Sequence, residues 1–210
     1  MNFKNTFYRH VFFLLLLVLC SVRAAAADTL LILGDSLSAG YRLPVDQSWP
    51  TLMAAQWRQA DKKTVIVNGS ISGNTAAQGF ERLPELLKQH HPKWVLIELG
   101  ANDGLRGFPT QRIEHDLQQS ITAIKQAGAH PLLMQIRISP NYGKRYTESF
   151  AKIYPALAER NHIPLLPFFM EHVVIKPEWM QDDGMHPNQA AQPFIADWMA
   201  KKLSEYINSP

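Results

Sequence analysis

The sequence is poor in cysteine: among its 210 residues the single Cys is Cys20. This residue lies in an N-terminal segment that we expect to be removed, so the remaining chain contains none. Disulfide bonds, thiolate zinc sites and a cysteine nucleophile are therefore excluded for the mature protein. A chain without thiols can also pass through an oxidising compartment without mispairing.

A hydrophobic run long enough to cross a membrane is lacking at the N-terminus. The apolar stretch of residues 11–19 has nine residues, whereas a spanning helix needs about 20. Lys4 and Arg9 precede this stretch and four alanines, residues 24–27, follow it, which is typical of a secretory signal peptide. We predict that residues 1–26 are a cleaved signal peptide, that residues 27–210 form a single domain, and that the protein is periplasmic without a stable membrane anchor.

An excess of positive charge is lacking once this segment is removed. Residues 1–26 contain Lys4, Arg9 and Arg23 and no acidic residue, so the 21 basic residues fall to 18, equal to the 18 acidic ones. Nucleic-acid binding usually needs a clustered basic surface, so we expect no nucleic-acid partner. We also expect a monomer.

What the sequence does contain is an alternation of short apolar runs and segments with helical spacing. The runs predict strands at residues 30–33, 65–67, 94–99, 132–136 and 164–166. Helices are predicted at residues 50–60, 110–127 and 146–160, with a last helix from about Pro187 to Tyr206. Nearly continuous apolar strands separated by helices predict a parallel five-stranded sheet covered on both faces, an α/β/α sandwich of three layers. Ligands of such sheets bind beyond the carboxyl ends of the strands.

Polar residues follow the first strand at this position. Ser36 lies just beyond Gly34, which permits a sharp turn, and the N–H groups that follow can point at an anion. A serine here can equally be the N-cap of a helix.

Two further segments follow the second and third strands. Gly73 can bring a backbone N–H close to a ligand, and the Asn102 side chain can donate hydrogen bonds to an oxyanion without carrying charge. A plain βα turn at Gly73 and an Asx-turn at Asn102 are the structural alternatives.

A fourth polar cluster precedes the last helix. Asp183 and His186 are three residues apart, so the carboxylate can accept the imidazole Nδ1–H and leave Nε2 facing the cavity. The aspartates can also cap a turn. A metal site is disfavoured, because one His without a second ligand cluster is a poor donor set.

Together these segments, Gly34-Asp35-Ser36-Leu37, Gly73, Gly100-x-Asn102-Asp103 and Asp183-x-x-His186, resemble the four conserved blocks of the SGNH, or GDSL-type, hydrolases. The resemblance extends over essentially all of residues 27–210 and implies a flavodoxin-like sheet. It implies that Ser36 is the nucleophile, His186 the general base and Asp183 its orienting partner. It also implies an oxyanion hole built from the N–H groups of Ser36 and Gly73 and the side chain of Asn102.

The expected activity is hydrolysis of carboxylic esters and thioesters through an acyl-enzyme, without cofactor or metal. Lysophospholipids, acyl-CoA-type thioesters, and short-chain and aryl esters are the expected substrates. We expect Asp35, Asp103, Ile138 and Tyr142 to contact the substrate, with the loop of residues 138–142 holding an acyl chain. Two alternatives remain open: an O-acetyl esterase acting on carbohydrate or peptidoglycan, and a ligand-binding module without catalytic activity.

Overall fold

The computed structural model describes residues 28–207, and the predicted signal peptide lies outside these residues. Five strands form one sheet: β1 (Thr29–Gly34), β2 (Val65–Asn68), β3 (Trp94–Glu98), β4 (His130–Met134) and β5 (Leu165–Leu166). Their order is β2-β1-β3-β4-β5 and every pairing is parallel. This is the flavodoxin-like order, so the expected fold class is confirmed.

Eight α-helices flank this sheet in the described part of the chain. They are α1 (Ser36–Ala39), α2 (Trp49–Gln59), α3 (Ala76–His90), α4 (Ala101–Leu105), α5 (Thr110–Gln126), α6 (Lys144–Asn161), α7 (Met170–Val173) and α8 (Gln192–Ile207). Short 3₁₀ turns lie at Val45–Gln47, Pro140–Tyr142, Pro177–Trp179 and Gln189–Ala191. Helix α2 packs on α8, whereas α3 packs on α5 and α5 on α6, which gives the two outer layers. Within residues 28–207, no helix is long and apolar enough to cross a membrane.

The central strands are apolar because both of their faces are covered. Residues 30–33 of β1 are completely buried, and so are residues 95–97 of β3. The register places Leu30 of β1 beside Ile66 of β2 on one side and Trp94 of β3 on the other. Strand β2 forms one edge of the sheet and is correspondingly more exposed. The core therefore lies on both faces of β1, β3 and β4.

Helix α3 was not expected from apolar spacing, and Pro84 lies within it. A clear start signal is nevertheless present in the sequence. Thr75 and Gln78 form a reciprocal capping box, in which the Thr75 side chain accepts from the Gln78 N–H and the Gln78 side chain accepts from the Thr75 N–H. The Thr-x-x-Gln spacing would have predicted this helix.

The last helix begins later than expected. Pro187 pairs with Met180 in an isolated antiparallel bridge, and the Asn188 side chain accepts from the N–H groups of Ala190 and Ala191. These contacts hold residues 187–191 out of the regular helix, so α8 starts at Gln192 rather than near Pro187. The expected start was therefore wrong by about one turn. Pro187 and Asn188 instead contact Met180 and Glu178, in the segment before the helix.

Candidate active site

The site lies where the chain leaves the neighbouring strands β1 and β3. From β1 the chain continues toward β2 at one edge, and from β3 it continues toward β4 and β5 on the other side. This reversal opens a crevice at the carboxyl ends of the two strands. Ser36 begins α1 after β1, and Asn102 lies in α4 after β3. The topology thus brings these two side chains to one place.

A chain of two hydrogen bonds joins Ser36, His186 and Asp183. The His186 Nε2 lies 2.9 Å from the Ser36 Oγ, and the His186 Nδ1 lies 2.8 Å from the Asp183 Oδ2. Since an ionised carboxylate only accepts, Nδ1 carries the proton and Nε2 accepts from the serine hydroxyl. The imidazole is thereby held in the tautomer that can remove a proton from Ser36.

Asp183 is itself held by backbone donors. Its Oδ1 accepts from the N–H groups of Met185, at 2.9 Å, and His186, at 3.0 Å. Burial alone would raise the pKa of Asp183, but these hydrogen bonds and the adjacent imidazole outweigh it and lower the pKa to about 2. The Asp183 carboxylate therefore caps the turn with one oxygen and accepts the imidazole Nδ1–H with the other, so capping does not exclude the predicted orienting role.

Ser36 is not the N-cap of its helix. That position belongs to Asp35, whose Oδ1 accepts from the Leu37 N–H at 3.0 Å. The Ser36 side chain is therefore left available for the hydrogen bond to His186.

Gly73 adopts a conformation that favours glycine. Its φ is +81°, in the left-handed region, and no heavy atom outside Gly73 and its two chain neighbours lies within 4 Å of where a Cβ would stand. Its carbonyl accepts from the Arg106 guanidinium at 3.2 Å, which joins the loop after β2 to the loop after α4. The open space beside Gly73 allows a ligand to approach the backbone.

The Asn102 side chain is already hydrogen-bonded. Its Nδ2 donates to the Asp35 Oδ2 at 3.1 Å and to the Asn74 carbonyl at 3.0 Å. An amide nitrogen carries two hydrogens, so a developing oxyanion would have to share or displace one of these acceptors. The Asn102 amide does not close an Asx-turn. It links the loops after β1, β2 and β3 instead.

Asp35 is one of the residues that line the cleft beside Ser36, although little of it is exposed. It is 1% exposed, and its two carboxylate oxygens accept from Leu37 and Asn102. Burial raises its pKa to about 7, with the charge of Asp103 adding to the effect, against the lowering by its two hydrogen-bond donors. The expectation that Asp35 contacts substrate stays a prediction, and its hydrogen bond to Asn102 adds a supporting role toward that amide.

Asp103 is completely buried, and its Oδ2 accepts from the Ala76 N–H at the start of α3. Burial raises its pKa. It is not among the residues that line the cleft, so the expectation that it contacts substrate was wrong. A polar residue next to a predicted oxyanion donor does not by itself reveal which way its side chain turns.

Ile138 and Tyr142 do line a cleft beside Ser36 and His186. The cleft has a volume of about 1060 Å³, which is large enough for a long acyl chain. Tyr142 is 41% exposed at its mouth. Seven further lining side chains are large and apolar: Leu37, Leu105, Phe168, Met170, Val174, Met180 and Met185. The arrangement suits a hydrophobic group attached to a polar reacting centre.

Three residues that support the site were missed by the sequence analysis. Glu98, at the end of β3, is completely buried beneath Asp35. The Tyr41 ring packs on the His186 ring, with centroids 4.3 Å apart, and Gln181 binds the Tyr41 carbonyl. A carboxyl within the apolar run of β3 was a signal for Glu98, whereas no local pattern points to Tyr41 or Gln181. Within residues 28–207, no three His, Cys, Asp or Glu side chains are grouped so that they could hold a metal ion.

Relatives of known structure share this fold. An esterase, EstA, from Pseudoalteromonas sp., described as inhibited by monoethylphosphonate, superposes with a TM-score of 0.85 and 41% identity, covering 87% of this chain and 100% of the esterase. A structure described as TesA superposes with a TM-score of 0.79 and 41% identity, covering 84% of this chain and 99% of its own.

Sequence relatives extend over nearly the whole chain. The thioesterase 1/protease 1/lysophospholipase L1 of Escherichia coli (strain K12) is 61% identical over 208 residues, which are 99% of this chain and 98% of the relative. An arylesterase of Vibrio mimicus is 52% identical over 194 residues, covering 92% of this chain and 97% of the relative. The profile of the GDSL-like lipase/acylhydrolase family matches residues 32–192. The hydrogen-bonded serine, the fold and these similarities together lead to one conclusion: the chain belongs to the GDSL-like lipase/acylhydrolase family.

Proposed function

We propose that Ser36, His186 and Asp183 form the catalytic triad with which this chain, an ester hydrolase of the GDSL-like family, cleaves esters and thioesters of apolar acyl groups. The observation that carries the proposal is the 2.9 Å contact between the His186 Nε2 and the Ser36 Oγ beside an apolar cleft. A serine hydroxyl is a weak nucleophile until an adjacent base takes its proton. The 2.9 Å contact supports this role for His186.

The reaction has two stages. The Ser36 Oγ attacks the acyl carbon while its proton passes to His186, and the resulting tetrahedral oxyanion collapses as His186 returns the proton to the departing alcohol or thiol. Water then repeats the sequence on the acyl-enzyme and releases the carboxylic acid. The backbone N–H groups of Ser36 and Gly73 and the Asn102 amide are the proposed donors to the oxyanion.

Lysophospholipids, acyl-CoA-type thioesters, and short-chain and aryl esters are the proposed substrates. The volume and apolar lining of the cleft, with Ile138 and Tyr142 at its wall, support acyl chains longer than acetyl. The names of the Escherichia coli and Vibrio mimicus relatives include thioesterase, lysophospholipase and arylesterase activities, which agree with this range.

Covalent labelling and an ester series test this function. A fluorophosphonate should label the wild-type chain but not Ser36→Ala, which should keep its fold and lose turnover. A p-nitrophenyl series from acetate to palmitate should show activity beyond acetate. Substantial hydrolysis by Ser36→Ala would contradict the nucleophile assignment, and activity on acetate alone would indicate an O-acetyl esterase.

We also propose that residues 1–26 are removed during export and that residues 27–210 act in the periplasm as a single monomeric domain. Cell fractionation with N-terminal sequencing of the recovered protein tests the first part. Sedimentation tests the second. A cytosolic protein that begins at Met1, or a stable dimer, would contradict the respective part.

A further inference from the structure

Gln181 closes the base of the loop that carries Asp183 and His186. Its backbone N–H donates to the His186 carbonyl at 2.8 Å, and its carbonyl accepts from the Gly184 N–H at 2.9 Å. The loop is therefore closed by hydrogen bonds to the Gln181 backbone.

The Gln181 side chain extends this unit to the opposite end of the chain. Its Nε2 donates to the Tyr41 carbonyl at 2.9 Å and to the Pro187 carbonyl at 3.0 Å. An amide nitrogen has two hydrogens, so both are used, and one side chain holds both carbonyls. Gln181 and Tyr41 are 140 residues apart in sequence, so only the tertiary fold brings them together.

Tyr41 is in turn joined to the proposed nucleophile. Its N–H donates to the Ser36 carbonyl at 3.2 Å, across the single turn of α1, and its ring packs on the His186 imidazole. A series of hydrogen bonds therefore connects Ser36 to His186 through Tyr41 and Gln181. This connection is separate from the hydrogen bond between the Ser36 hydroxyl and the imidazole.

We propose that Gln181 is a positioning residue that sets the distance between the His186 Nε2 and the Ser36 Oγ. This inference rests on the proposed function, because it concerns the geometry of the proposed base. Proton transfer requires hydrogen-bond distance, and a misplacement of about 1 Å can lower a rate by about 10²-fold. Gln181 touches neither reacting atom and acts only through the loop that it closes.

The two ends of the chain have a second connection that does not depend on Gln181. The Gln192 Oε1 accepts from the Trp49 N–H at 2.9 Å, and the Trp49 indole donates to the Leu37 carbonyl at 3.2 Å. Both Trp49 and Gln192 are buried. Loss of the Gln181 amide should therefore loosen the site while the fold remains.

The test compares Gln181→Met with Gln118→Met. Methionine keeps the length of the side chain but cannot donate a hydrogen bond. Gln118 is a matched control because its amide also bridges two elements, α5 and α6, through Asn161 and Arg160, away from the cleft. The readouts are kcat and KM for a p-nitrophenyl ester, the rate of fluorophosphonate labelling, and the midpoint of thermal unfolding.

For Gln181→Met we expect kcat and the labelling rate to fall about tenfold or more while KM changes by less than about twofold. For Gln118→Met we expect a lower unfolding midpoint with unchanged kcat. A wild-type kcat in Gln181→Met, or an equal loss of kcat in both variants, would overturn the proposal. If Gln181→Met does not fold, Gln181→Asn is measured instead, since its shorter amide cannot reach both carbonyls, and wild-type kcat there would overturn it equally.

Ser36→Ala, measured in parallel, separates this inference from the function on which it rests. Full activity in Ser36→Ala would remove the proposed nucleophile itself. An inactive Ser36→Ala together with a fully active Gln181→Met would remove only the positioning role.

Discussion

The carboxyl group of Glu98 lies directly under the backbone of Asp35, with its Oε2 3.4 Å from the Asp35 nitrogen. The same oxygen accepts from the Ser38 hydroxyl at 2.7 Å. Two buried carboxyl groups thus lie beneath the proposed nucleophile. Two like charges so close together in a buried site repel strongly, so the pair is best accommodated with a proton on one of them.

Replacement of Glu98 by glutamine should reveal this proton. Burial, and then the charge of Asp35, raise the pKa of Glu98 well above its ordinary value, against the lowering by its hydrogen-bond donors. Because the pKa of Glu98 is higher in the folded than in the unfolded chain, its contribution to stability is complete only at a pH below its unfolded pKa of about 4.5. That contribution is lost as the pH rises from there through the pKa of the folded state. The unfolding midpoint of Glu98→Gln should therefore rise relative to that of wild type between pH 5 and pH 9 and be the higher of the two at pH 9.

Thermal unfolding across this pH range provides the measurement. Glu85→Gln, at an exposed position, is the control and should show no such trend. If the difference in unfolding midpoint between Glu98→Gln and wild type is the same from pH 5 to pH 9, the protonation of Glu98 does not differ between the folded and unfolded states.

Replacement of Asn102 by alanine tests the proposed oxyanion donor. Loss of one such donor usually lowers kcat by about 10²–10³-fold, and we expect a loss of that size with a small change in KM. Steady-state kinetics on an aryl ester measure the effect. Asn161→Ala, at the end of α6 and outside the cleft, is the control and should retain kcat. A loss smaller than about threefold for Asn102→Ala would show that the other donors suffice.

Replacement of Asp183 by asparagine should have separate effects on activity and stability. The amide would favour the wrong imidazole tautomer, so kcat should fall by about 10²–10⁴-fold. Because the pKa of Asp183 is lowered in the folded chain, its carboxylate stabilises the fold at a pH above 3.8, the pKa of the unfolded state. This contribution is lost as the pH falls toward 2. The stability difference between wild type and Asp183→Asn should therefore be present at pH 6 and vanish near pH 2.

Chemical denaturation at a series of pH values, together with kinetics at neutral pH, checks both effects. Asp182→Asn is the neighbouring control, because Asp182 is exposed and its carboxylate makes no hydrogen bond to His186. If Asp183→Asn loses the same free energy of unfolding at pH 6 and at pH 2, ionisation of Asp183 does not stabilise the fold, which would contradict this prediction.

Replacement of Gly100 by alanine should destabilise the segment before Asn102. Gly100 has a φ of +110°, and an added Cβ would overlap the hydroxyl of Tyr154, which donates to the Leu99 carbonyl at 3.0 Å. We expect a loss of about 2–4 kcal/mol in the free energy of unfolding. Combining it with Tyr154→Phe should restore part of the loss, because the overlap disappears while the strained φ remains. Strict additivity in this double-mutant cycle would show that the two sites do not couple.

The sequence by itself determined the fold class and indicated the groups that we propose to react. Apolar runs of strand length separated by helical segments require a covered parallel sheet, and this pattern is local. The residues around Ser36, Gly73, Asn102 and His186 carry chemistry that depends on residue type and short spacing, so they too can be read from the chain.

Only the tertiary structure decided how these groups are supported. Buried Asp103, in α4, accepts from the Ala76 N–H at the start of α3, the Asp35 N–H donates to Glu98, and the Gln181 side chain donates to the Tyr41 carbonyl. Such contacts join residues that are far apart in sequence, and packing rather than local preference decides which side chains meet. The direction in which a polar side chain turns, inward to a buried partner or outward to a ligand, is therefore settled only when the sheet and its loops are assembled.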